Sequence, residues 1–156
     1  MSKKKMKNFL ITLIIILIPV KSFSLIEVDI TRGNLNPLPV AVSPLSIDED
    51  SRKNFENILK KKNIGSEISL IVENNLRVSG LFNPLNKDAF LQEPDIANLK
   101  PRFEDWNLIK AQALITGKVS YVKEKLRVEF RLWDVLAGKE MMALAFTTVP
   151  NNWRRV

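Results

Sequence analysis

Residues 126–134 read Leu-Arg-Val-Glu-Phe-Arg-Leu-Trp-Asp (LRVEFRLWD), and this stretch decides the fold class. Leu126, Val128, Phe130 and Leu132 alternate with Arg127, Glu129, Arg131 and Trp133. Successive side chains of a strand point to opposite faces, so a two-residue period predicts a strand that is apolar on one side and wet on the other. Upstream, Lys123-Glu124-Lys125 separates it from Ala113–Val122 (ALITGKVSYV). Downstream, Ala137-Gly138-Lys139 separates it from Glu140–Thr148. Short connections between strands predict an antiparallel meander, one face apolar and one solvated.

Working toward the N-terminus, Pro101 suits the first position of a short helix over 102–110, with Phe103, Trp106 and Ile109 on its buried side. Residues 86–100 read as loop. Leu81-Phe82-Asn83-Pro84-Leu85 is a short extended piece that follows the stop signal Ser79-Gly80. Before it, Ile64, Ile68, Ile71, Val72 and Leu76 fall on one face of a helix over about 65–78. A further helix leads to Phe55, Ile58 and Leu59, with Ser46 and Glu49 at capping-box spacing and Lys60, Lys61 and Lys62 as its solvated C-terminal end. Leu38–Val42 (LPVAV) is a short strand with Pro39 at its start or edge. Residues 26–32 (IEVDITR) alternate Ile26, Val28 and Ile30 against Glu27, Asp29 and Arg32, the pattern of a half-buried strand. This order predicts an α+β domain: a mixed, largely antiparallel sheet of about five strands, with two or three helices packed on one of its faces.

The first 24 residues carry a different message. Lys3, Lys4, Lys5 and Lys7 precede an uncharged apolar run, Phe9–Val20, and Ser22 and Ser24 then provide small residues at signal-peptidase spacing. That run would extend about 18 Å as a helix, short of the roughly 30 Å of a bilayer core. Residues 1–24 are therefore expected to be a secretory signal cleaved between Ser24 and Leu25; the alternative is an uncleaved membrane anchor. The whole chain has a formal charge of +7. The signal holds five lysines and no acid, so residues 25–156 carry 19 basic and 17 acidic residues, a net +2. No basic stripe of the kind that binds nucleic acid survives the cut.

Catalytic signals are thin. There is no cysteine and no histidine, which removes the nucleophile–base pairs and metal ligands most often used. The five glycines are isolated, so no phosphate loop is formed. Asp48-Glu49-Asp50 lacks the calcium-loop spacing and suits a helix start, whereas Glu104 and Asp105 are neighbours that diverge on a helix. No catalytic role, cofactor or metal is expected. What remains is recognition by surface. Leu25–Arg32 is either an edge strand of its own sheet or a strand donated to another protein's edge or groove. At the other end, Pro150–Val156 reads as a cap and the first turn of a helix, so the chain is expected to be a fragment of a longer protein; the alternative is a frayed tail.

Several stretches together resemble the TolB N-terminal domain family. They are Ile26-Glu27-Val28-Asp29-Ile30, Pro39-Val40-Ala41-Val42, Val78-Ser79-Gly80-Leu81-Phe82-Asn83-Pro84-Leu85, Ala111–Val119, Phe130-Arg131-Leu132-Trp133-Asp134 and Asn152-Trp153-Arg154-Arg155, in the same order. The resemblance implies an α/β domain over residues 25–156 followed by a six-bladed β-propeller that is missing here. It implies a periplasmic component of the Tol-Pal system, a protein-protein interaction module that supports outer-membrane integrity and constriction at cell division. The implied partners are a TolA-like inner-membrane protein, contacted by Leu25, Ile26, Glu27, Val28, Asp29 and Ile30, and a Pal-like lipoprotein, bound only through the propeller. The lysine- and acid-rich segment 46–63 departs from that pattern, reading as longer or more helical. The other reading is an accessory domain of an exported enzyme whose catalytic part lies beyond Val156.

Overall fold

The computed structural model describes residues 36–93 and 100–155. The expected strand 26–32, the signal and its cleavage point lie outside them. The described chain runs β1 (Leu38–Val42), β2 (Ser46–Ile47), α1 (Glu49–Leu59), α2 (Ile64–Val78), β3 (Phe82–Pro84), a 3-10 turn (Lys87–Ala89), α3 (Phe103–Leu108), β4 (Ala113–Val122), β5 (Lys125–Asp134), β6 (Lys139–Thr148) and a 3-10 segment (Pro150–Arg155). The six strands form one sheet in the order β3-β1-β4-β5-β6, with β2 paired to β4 beyond the end of β1. Pairings among β3, β1, β2 and β4 are parallel, and the long β4-β5-β6 meander is antiparallel. The α+β class and the mixed, largely antiparallel sheet are as the sequence predicts.

The alternation in β5 places its side chains as read, but both faces of the sheet are covered in part. On one face Leu126, Val128 and Val119 pack with Leu45, with Phe55 of α1, with Ile64 and Ile68 of α2, and with Trp153. Next to them Val40, Val42 and Ala113 lie under Val72 and Leu76 of α2. On the opposite face Ala41, Leu114, Trp133 and Val135 pack with Trp106 of α3 and Ala111. Helices on one face only was thus too simple. Trp133, assigned to the wet side, is buried; its indole N–H donates to Thr116 Oγ1 at 2.9 Å, which satisfies the polar edge of an otherwise apolar ring.

Local chemistry explains most boundaries, with corrections. Asp48, not Ser46, caps α1: its carboxylate accepts the Ser51 N–H at 2.8 Å and the Ser51 hydroxyl at 2.9 Å. Ser46 instead belongs to β2, opposite Lys118, because the sheet supplies backbone partners that a capping box would not. α1 ends at Lys60, which adopts the left-handed conformation (φ 56°) and returns its N–H to the Glu56 carbonyl. Pro101 precedes the helix rather than opening it, since Arg102 is the N-cap of α3. β4 and β5 are joined by only two residues, Lys123 and Glu124, both at positive φ (49° and 61°). That is the backbone a tight hairpin needs, adopted without glycine or asparagine. The C-terminal 3-10 segment is not frayed: Trp153 is buried in the α1/α2 core.

The largest departure is β6. The meander was expected to present one apolar, buried face, yet nine of the ten residues of β6 are exposed and Thr148 is half-buried. α1 and α2 cover the sheet over β1, β2, β4 and the start of β5. Among the described residues no helix reaches across to β6.

Candidate interaction surface

The residues the sequence nominates for partner contact, Leu25 to Ile30, and the Ser24–Leu25 junction lie outside the described residues. The candidates for chemistry are placed and dispersed. Asp48 is occupied as a helix cap. Hydrogen bonding from the Ser51 backbone holds its carboxyl below the ordinary value, against an opposing effect of partial burial and with help from the Ser51 hydroxyl and the Lys118 charge. Glu49 pairs with Arg52 at 3.7 Å, and Asp105 with Arg102 at 2.7 Å. Among the described residues no group of three carboxylates, histidines or cysteines could hold a metal.

The remaining ion pairs tie elements together. Partial burial pushes the Glu73 carboxyl up, but hydrogen bonds from Arg77 and Lys87 outweigh it and hold the group below its usual range. Their distances are 2.7 and 3.3 Å; the Arg77 pair lies within α2, and the Lys87 pair fastens the 3-10 turn Lys87–Ala89 to α2. Of the lysine run, Lys61 bonds Glu67 at 2.6 Å and lies 5.1 Å from the Trp153 ring, while Lys62 pairs with Glu56 at 3.6 Å. Arg154 stands 5.0 Å from the same ring. The run therefore serves the junction of α1, α2 and the C-terminal segment, in keeping with a solvated helix end rather than a bare basic patch.

What the structure adds is an apolar groove of about 310 Å³. It is lined by Val72 of α2, Ile115 of β4, Phe130 and Leu132 of β5, and Met142, Leu144 and Phe146 of β6, with Arg131 at its margin. Register explains the row: Met142 stands opposite Leu132, Leu144 opposite Phe130 and Phe146 opposite Val128. The Phe130 and Phe146 rings meet edge to face at 6.2 Å. The reverse side of the same strands is ionic, with Arg127–Glu129 at 2.8 Å and Arg131–Glu140 at 2.9 Å. A signal for the groove was present in the sequence, because Met141–Phe146 carries no polar residue on either face. That pattern reads as a buried strand, and only the structure reveals it as an exposed edge.

Among the described residues no helix is long and apolar enough to cross a membrane. The fold is an α+β domain with an apolar groove on one face of its sheet. The match to the TolB amino-terminal domain model covers residues 26–141, and the chain belongs to that family. It is 81% identical over 144 residues to the Tol-Pal system protein TolB of Pelagibacter ubique (strain HTCC1062). That alignment covers 92% of this chain and 32% of the relative, so the chain spans about a third of the relative's length. Among solved structures, TolB from Acinetobacter baumannii superposes with a TM-score of 0.54 at 18% identity, over 76% of this chain and 25% of that one. The LpoB C-terminal domain from Escherichia coli superposes with a TM-score of 0.52 at 12% identity, over 75% and 86%. At such identities these two share the fold.

Proposed function

We propose that this chain is the amino-terminal module of a periplasmic component of the Tol-Pal system. The observation that carries the proposal is the high identity across nearly the whole chain to a relative named as such a component. In this reading residues 1–24 are a secretory signal removed after Ser24, residues 25–156 form the module, and a β-propeller follows in the whole protein. The new N-terminus frees Leu25 to Ile30 to pair as a strand with a TolA-like inner-membrane protein, and a Pal-like lipoprotein engages the propeller. The role is non-catalytic and supports outer-membrane integrity and constriction at division. The sequence has no histidine and no cysteine, the residue types most often used as general base and as nucleophile or metal ligand.

The test is a calorimetric titration of residues 25–156 and of residues 31–156 with the periplasmic C-terminal domain of the TolA-like protein. Binding by the longer chain, lost in the shorter one while its circular dichroism is unchanged, is the expected result. Equal affinity of the two forms would overturn the assignment of the contact to Leu25–Ile30.

A further inference from the structure

We draw no further inference here: the strongest candidate, the apolar groove where Val72 of α2, Phe130 of β5 and the exposed β6 side chains Met142, Leu144 and Phe146 meet at the end of the sheet, carries none because nothing in the structure shows what covers it.

Discussion

Replacing Gly65 by alanine tests how closely α2 is seated on the strand layer. Gly65 lies in the first turn of α2, buried. In an exposed helix interior the change from glycine to alanine is stabilising by about 1 kcal/mol. Here the added methyl would fall on the Leu45 carbonyl oxygen, closer than any real Cβ contact, and 3.1 Å from the carbonyl carbon. Leu45 has little freedom to retreat. Its N–H is held by Ser69 Oγ at 3.0 Å, and its side chain is buried against Phe55 and Ile64 and lies beside Gly117, where a Cβ would stand 2.8 Å from Leu45 Cδ2. Overpacking costs about 1–3 kcal/mol, and a contact with backbone on both sides belongs at the upper end. Set against the helix-propensity gain, the net expectation is a loss of about 2 kcal/mol. For a domain of this size that lowers Tm by about 8 °C. Thermal and urea melts of residues 25–156, followed by circular dichroism, measure it. Gly80→Ala is the control, since that site has φ +72° and no atom within 4 Å, and it is expected to lose only about 1 kcal/mol through the left-handed backbone. A Gly65→Ala chain that melts at or above the parent temperature would refute the close seating of α2 on Leu45.

Ser69→Ala should destabilise by about 1–3 kcal/mol, because the fully buried hydroxyl accepts the Leu45 N–H and lies 3.0 Å from both the Ser43 and Gly65 carbonyls, and alanine leaves the amide unpaired; urea midpoints at constant m-value check it. Asp48→Asn keeps an acceptor at the α1 cap but removes the charge at the helix N-terminus, at a cost of about 0.5 kcal/mol near neutral pH. The folded carboxyl titrates below its ordinary value of 3.8, so its contribution is present in full above that pH and is lost as pH falls through the folded value. The parent and Asp48→Asn melting curves should therefore converge below about pH 3.8, and a difference that stays constant with pH would count against the charge as its source.

Local periodicity carried a large share of this fold. The alternation of β5, the apolar stripe of α2 and the Ser79-Gly80 stop each follow from the geometry of one element, so they could be read without knowing what packs on them. Where the reading failed, the missing information belonged to a neighbour. Ser46 resembles a cap but becomes a strand residue because β4 runs beside it. Trp133 falls on the polar side of an alternating strand, yet α3 and Trp106 arrive to bury it. The candidate contact Leu25–Ile30 rested on a resemblance, and it lies outside the described residues.

By itself, then, the sequence determined the class of the domain, most of its elements and the lack of histidine and cysteine. Those properties are set by spacing and composition along the chain. Tertiary structure alone decided which faces are covered. Met142, Leu144 and Phe146 have the composition of a core strand, and they stand in solvent because α2 stops short of β6. Burial is a property of two surfaces meeting, and a single strand's sequence describes only one of them.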